Sequence, residues 1–254
     1  MIRTLIARLH QKHRTTTYPA TPAILPDKFR GRPVIDLGAC QRSCSDCVAV
    51  CPTGAISPND EISIDLGKCL FCAACARACR QGCISYTRDH RLAVSRRDDL
   101  LLDAGAELKL AEQMGEQLRR LYGRSFKLRE VSAGGCNACE ADTNVLSTVG
   151  FDLGRFGIQF VASPRHADAL YVTGPVSENM REALLQTYAA IPEPRLVIAA
   201  GACAISGGPY ADNPEQHNGV TDLLPIDLYI PGCPPHPFTI LDGLLRLLGR
   251  LPRE

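Results

Sequence analysis

The sequence predicts two folded units in series: a small α+β domain over residues 35–90, then an α/β domain with a doubly wound parallel sheet over residues 128–254. Two observations carry this. Between 35 and 88 a cysteine-centred segment repeats with a shift of 28 positions, Cys44, Cys47 and Cys51 recurring as Cys72, Cys75 and Cys79, and Gly54, Ala55, Ile56 and Ser57 as Gly82, Cys83, Ile84 and Ser85. Beyond residue 127, apolar runs of strand length at 127–132, 158–163, 169–174, 196–201 and 227–231 alternate with helix-length stretches near 140–149, 178–190 and 238–249. Strands separated by helices of that length argue for a parallel sheet with helices on both faces.

The remaining elements follow in chain order. Residues 1–34 read as an N-terminal amphipathic helix and an extended arm. Ile2, Leu5, Ile6 and Leu9 recur at helical spacing, with Arg3, Arg8, Lys12 and Arg14 elsewhere around the turn. Such a helix either packs on its own domain or docks on a membrane surface or a partner. Pro19, Pro22, Pro26 and Pro33 then hold the arm out of helix. Between the two units, Leu108, Ala111, Met114, Leu118 and Leu121 keep a helical period, which predicts a linker helix over 91–127.

The chemistry lies in the cysteines. Twelve of the 13 fall into three sets of four. Cys40, Cys44, Cys47 and Cys51, followed by Pro52, and Cys69, Cys72, Cys75 and Cys79 approximate the two-cluster ferredoxin spacing, in which the fourth cysteine of each run ligates the other cluster. The expected sets are therefore Cys40, Cys44, Cys47 and Cys79 for a first 4Fe-4S cluster, and Cys69, Cys72, Cys75 and Cys51 for a second. Cys40 precedes Cys44 by one residue more than Cys69 precedes Cys72, an insertion expected to bulge outward. Cys136, Cys139, Cys203 and Cys233 each follow the carboxyl end of an expected strand, the edge at which open α/β sheets bind ligands. They form a third set, with Gly134-Gly135, Gly201 and Pro231-Gly232 supplying turns where backbone can approach a cluster. Cys83 takes the place of Ala55 in the repeat and is expected as a buried apolar thiol. Zinc is the rival metal, since a Cys44/Cys47 plus Cys69/Cys72 site is conceivable, but it would leave Cys40, Cys51, Cys75 and Cys79 without a role. A zinc-stabilised interaction module is accordingly the alternative of another class.

Composition removes other classes. With 254 residues and 45% hydrophobic content the chain can bury full cores and needs no disulfide framework to fold. Its opening residues are too short and too interrupted by arginine for a signal peptide, so reduced thiols are expected. Twenty-eight basic against 27 acidic side chains leave a net charge of +1, without the excess that nucleic acid attracts. No run approaches the roughly 18 apolar residues of a membrane-spanning helix.

The motifs also carry a family resemblance. Gly-Gly-Cys136-Asn-Ala-Cys139, Ser163-Pro164-Arg165-His166-Ala-Asp168, Gly201-Ala-Cys203 and Pro231-Gly-Cys233-Pro-Pro resemble the small subunit of membrane-bound NiFe hydrogenases of the formate hydrogenlyase or hydrogenase-4 type, homologous to the complex I subunit that holds the terminal cluster. The first half, from Phe29-Arg-Gly-Arg-Pro33 through the cysteine runs, resembles the two-cluster ferredoxin-like subunit of the same complexes, so the chain looks like a fusion of the two. The resemblance implies a non-catalytic electron-transfer subunit with three 4Fe-4S clusters, partnered by a NiFe large subunit and by other soluble-arm and membrane subunits, peripheral on the cytoplasmic side of the cell membrane. It further implies that Arg165, His166 and Asp142 sit by the third cluster, Asp142 standing where the family usually carries Glu. Complex I subunits have adjacent cysteines at the place where this chain has Cys136-x-x-Cys139, which favours the hydrogenase branch. A related quinone or ferredoxin oxidoreductase that has lost nickel is the alternative.

Overall fold

The computed structural model describes residues 2–12, 14–40, 44–57 and 62–251. Helix α1 (Ile2–Gln11) forms as its periodicity dictates and contains no buried residue, so it packs on nothing within the described chain. The arm that follows runs without helix or strand to β1 (Pro33–Ile35).

The repeat builds two similar halves. Helix α2 (Asp46–Ala49) precedes β2 (Ile56–Ser57) and β3 (Ser63–Asp65); helix α3 (Ala74–Ala78) precedes β4 (Ile84–Tyr86). Strand β1 pairs antiparallel with β4, Ile35 opposite Ile84, and β3 pairs antiparallel with β2 and with β5 (Leu101–Asp103). Gly54 and Gly82, equivalent in the repeat, both adopt left-handed backbone, with φ of +57° and +68°. A Cβ at either would meet nothing within 4 Å, so the turn into the following strand, and not crowding, requires glycine there. The residue expected to bulge between Cys40 and Cys44 falls in 41–43, outside the described residues.

The linker helix expected over 91–127 is confined to α4 (Glu116–Tyr122). The period of Leu108, Ala111 and Met114 is real, but their backbone bonds elsewhere: Ala111 N donates to Ala93 O at 2.7 Å and Met114 N to Leu247 O at 2.9 Å. Ala111 and Met114 are buried in this extended form, so tertiary hydrogen bonds and packing override local propensity.

The second unit follows the predicted alternation closely: β6 (Phe126–Ser132), α5 (Ala138–Val145), β7 (Ile158–Phe160), β8 (Ala169–Thr173), α6 (Glu178–Ala190), β9 (Leu196–Ala200), α7 (Ala202–Ser206), β10 (Leu228–Ile230) and α8 (Pro237–Leu247). All five strands are parallel, in the order β10-β9-β8-β6-β7. Chain order therefore reverses between β6 and β8, the switch point at which doubly wound sheets open a crevice.

Pleat alternation sorts the core into two faces. Leu170 and Val172 face α6 and α7 and join a cluster that includes Ile64, Leu66 and Leu100 of the first unit. Ala169 and Tyr171 face the other way, onto Leu146, Phe238, Leu241 and Leu244. Burying each of the larger of these side chains contributes about 2 kcal/mol. The units thus share one core, reinforced by the antiparallel bridge of Val94 with Tyr229 and by Ser206 Oγ donating to Gly67 O at 2.9 Å.

A buried polar network fastens the arm to the opposite face. Tyr18 Oη donates to Asp242 Oδ1 at 2.7 Å, Arg246 Nε donates to Asp242 Oδ2 at 2.8 Å, and His90 Nε2 lies 3.3 Å from the Tyr18 hydroxyl. Asp242 is 1% exposed, so it depends on both donors. Arg155 adds hydrogen bonds to the carbonyls of Thr16 and Tyr18. Replacing Tyr18 by Phe keeps the packing but leaves a buried carboxylate oxygen without its donor, a loss of about 2 kcal/mol. The expected outcome is cleavage within residues 14–34 at lower protease concentration than in the wild type; an unchanged cleavage profile would show that the arm is held by other contacts.

Candidate metal centres

Each predicted set of four cysteines is brought to one place. Cys40, Cys44, Cys47 and Cys79 line a cavity closed by Ile62 and Ile84. Cys51, Cys69, Cys72 and Cys75 line a second, closed by Ile64 and Tyr86. In each set three sulfurs come from one run and the fourth from the other, because α2 and α3 pack together and each run's last cysteine turns back across the pair.

The local backbone is shaped around these sulfurs. Phe71 and Ala73, on either side of Cys72, hold φ of +53° and +57°, a conformation that non-glycine residues keep only under constraint. Amide N–H groups point at sulfur: Ala55 N to Cys51 Sγ at 3.2 Å, Phe71 N to Cys69 Sγ at 3.3 Å and Cys83 N to Cys79 Sγ at 3.3 Å. The Tyr86 hydroxyl lies 3.6 Å from Cys75 Sγ.

The third set gathers at the switch point of the sheet. Cys136 and Cys139 follow β6, with Asn137 between them at φ +69°; Cys203 lies in α7 immediately after β9; Cys233 follows β10. Burial pushes the Cys203 thiol up to about 12, helped by the neighbouring Cys233 and Cys136, and drives Cys139 well above its ordinary value, helped by Cys203, Glu140 and Cys233. Burial likewise pushes Cys69 up to about 12. Two glycines make room: a Cβ at Gly201 would sit 2.6 Å from Cys139 Sγ, and one at Gly208 would sit 2.9 Å from Cys203 Sγ.

The second and third sets are neighbours. Cys72 is close enough to Cys233 to raise its thiol, after burial and Cys136. Arg30 and Arg77 both donate to the Cys72 carbonyl, at 3.1 and 3.0 Å. A cleft lined by Arg30, Phe71, Asp142, Cys233 and His236 opens between the two sets.

The donor chemistry fits iron–sulfur clusters. A predicted set of four thiols stands around each of two voids, amide hydrogens are aimed at their sulfurs, and glycines keep the third set's sulfurs clear of backbone. Among the described residues no three Cys, His, Asp or Glu side chains close to the distances of a single-ion site. Thiols raised by burial stay protonated at neutral pH and ionise as metal binds.

Of the three residues expected to tune the third cluster, Asp142 stands in the cleft beside Cys233, its carboxyl raised by burial. Arg165 and His166 do not. They lie in the short 3-10 turn before β8 and line a depression with Lys127, Asp168 and Pro194 at the amino edge of the sheet. The cysteines stand at the carboxyl edge, so the length of β8 separates them, about 16 Å at roughly 3.3 Å per residue. A loop leading into a parallel strand is delivered to the edge opposite the one that the strand's end reaches.

Glu140 is an acidic group close enough to the third set to raise the thiols of Cys139 and Cys203. Burial works against its charge, but hydrogen bonds from Ser132 and Thr173, the latter at 2.7 Å, prevail and hold its carboxyl below the usual range. Glu130 nearby has no such help. Burial and the charge of Glu140 push it up to about 7, and its Oε1 is buried without a hydrogen-bond partner among the described residues. Neither the role of Tyr86 nor the position of Glu130 had a signal in the sequence.

Comparison with known proteins matches residues 136–247 to the family described as NADH ubiquinone oxidoreductase, 20 Kd subunit. The chain is 38% identical to the probable membrane-bound hydrogenase subunit mbhJ of Pyrococcus furiosus, over 58% of this chain and 87% of that protein. This chain belongs to that family. Other members include formate hydrogenlyase subunit 7 of Escherichia coli, 40% identical over 56% of this chain and 55% of the relative, and an NADH-quinone oxidoreductase subunit of Rubrobacter xylanophilus, 47% identical over 41% of each. The chain thus spans about half the length of these two relatives. The family match begins at Cys136, so the cysteine repeat lies outside it.

Gly201→Ala tests the third centre directly, since it adds a methyl group against Cys139 Sγ at a backbone φ of +92°. The variant is expected to lose about four irons per chain while the other two sets keep theirs. Full iron retention would contradict the assignment of Cys139 and Cys203 to one centre.

Proposed function

We propose that the chain is an electron-transfer subunit of a membrane-bound, hydrogenase-type oxidoreductase: its three sets of cysteines hold 4Fe-4S clusters, which exchange single electrons with a NiFe-bearing large subunit where protons and dihydrogen interconvert. The observation that carries this reading is the arrangement of the sets. Two enclosed cavities, each lined by one complete set of four cysteines, lead to a third set at the crevice of a parallel sheet, with Cys72 beside Cys233.

The chain's own residues have distinct tasks in this reading. Cys40, Cys44, Cys47 and Cys79 hold the first cluster, Cys51, Cys69, Cys72 and Cys75 the second, and Cys136, Cys139, Cys203 and Cys233 the third. Ile62, Ile64 and Ile84 keep water from the first two, and the amides of Ala55, Phe71 and Cys83 stabilise thiolate charge by donating to sulfur. Cys136 and Cys233 are exposed, which suits a third centre that faces a partner subunit. The similarity to mbhJ and to formate hydrogenlyase subunit 7, together with the Cys136-x-x-Cys139 gap, supports the hydrogenase branch.

Peripheral attachment on the cytoplasmic side fits the same reading. No helix among the described residues is long and apolar enough to cross a membrane. The exposed Ile2, Leu5 and Leu9 of α1, flanked by Arg3 and Arg8 with no acidic residue in the helix, suit contact with an anionic lipid surface.

The 47% identity to a subunit of an NADH-quinone oxidoreductase supports a second reading, in which the large subunit lacks nickel and reduces a quinone or another acceptor. Purification of the chain with its large subunit separates the two. Dihydrogen-dependent reduction of a viologen dye by the complex, and none by the chain alone, is the expected result. A nickel-free complex that reduces quinone without consuming dihydrogen would replace the first reading with the second.

A further inference from the structure

The first cavity holds one sulfur more than a cluster needs. Cys83 lines it together with Cys40, Cys44, Cys47 and Cys79. It is 3% exposed, as the repeat predicts for a core position, yet it shares this cavity with Cys79 and Cys40, whose proximity adds to burial in raising its thiol. The two chain segments that meet here are fixed to each other: β4 begins at the next residue, Ile84, which is paired with Ile35, and Asp36 N donates to Cys83 O at 2.8 Å. Cys40 follows Asp36 by four positions in the turn leaving β1, so adjacent strands hold Cys83 and Cys40 side by side.

The second cavity supplies an internal control. Ala55 occupies the position equivalent to Cys83, and its amide bonds Cys51 Sγ at 3.2 Å as the Cys83 amide bonds Cys79 Sγ at 3.3 Å. The two sites therefore share a backbone, and only the first carries a fifth sulfur.

We propose that Cys83 is a reserve ligand of the first centre, able to replace Cys40 when that thiolate is lost. The inference rests on the reading of Cys40, Cys44, Cys47 and Cys79 as cluster ligands. Cys40 is the ligand it can replace, because Cys79 accepts the amide hydrogen of Cys83, so that losing Cys79 would disturb the backbone that positions Cys83 itself. In the exchange the Cys40–iron bond is replaced by a Cys83–iron bond. The Cys83 thiol gives up its proton as it binds and the released Cys40 thiolate takes one up, so neither the net charge nor any oxidation state changes.

The test uses the full chain purified anaerobically as wild type, Cys83→Ala, Cys40→Ala, Cys40→Ala/Cys83→Ala and Cys69→Ala, with iron and sulfide content and the EPR spectrum of the reduced protein as readouts. Cys40→Ala and Cys83→Ala are each expected to retain the wild-type iron content, Cys40→Ala with an altered signal from one centre. The double variant and Cys69→Ala, which has no reserve sulfur, are expected to lose iron from one centre. Equal loss in Cys40→Ala and the double variant, or loss in Cys83→Ala alone, would overturn the inference while leaving the three-centre reading intact. A wild-type chain holding well short of about twelve irons would overturn that underlying reading itself, and the inference with it.

Discussion

Cysteine sulfurs brought together, many of them buried or half-buried, set the terms for the rest of this structure. Burial, with neighbouring sulfurs adding to it, pushes Cys69 and Cys203 up to about 12 and raises Cys139 and Cys233 as well. Buried thiolates so placed could not coexist without a compensating positive charge, and protonated thiols would gain little from being gathered. The fold nonetheless spends local strain to gather them. Phe71, Ala73 and Asn137 sit in left-handed backbone beside cysteines, and Gly201 and Gly208 keep Cβ atoms away from sulfur. A metal centre resolves both difficulties at once, since it ionises the thiols and neutralises them in the same step.

The architecture then explains how distant cysteines meet. Parallel strands deliver Cys136, Cys203 and Cys233 to one edge, and the reversal of strand order between β6 and β8 opens the crevice there. The cysteine repeat packs against the α6 and α7 face of this same sheet, so its second cavity lies against the crevice and not at some variable distance from it. The arm closes the fold on the other face through Tyr18, Asp242 and Arg246. One shared core therefore fixes the order of the three sets along the chain's long path.

Much of this was legible in the sequence, for identifiable reasons. Strands such as Ala169–Thr173 and Leu196–Ala200 are buried along their whole length, so they read as continuous apolar runs between helices. The cysteine sets were legible because a turn of two residues between thiols is a local geometry. What depended on long-range packing was not. The helical period over 91–127 was real, yet Ala111 and Met114 bond to Ala93 and Leu247, partners that only the tertiary fold supplies. Arg165 and His166 carry a recognisable motif, but the edge of the sheet they occupy follows from strand direction. Cys83 was correctly expected to be buried; that it faces two other sulfurs depends on the pairing of β1 with β4.

Mössbauer quantitation of the anaerobically purified, 57Fe-labelled chain bears most directly on the claim that three cysteine sets form three cluster sites. The account predicts about twelve irons per chain, all in cubane clusters that accept electrons on reduction. Zinc in place of iron, or iron confined to a single centre, would contradict it.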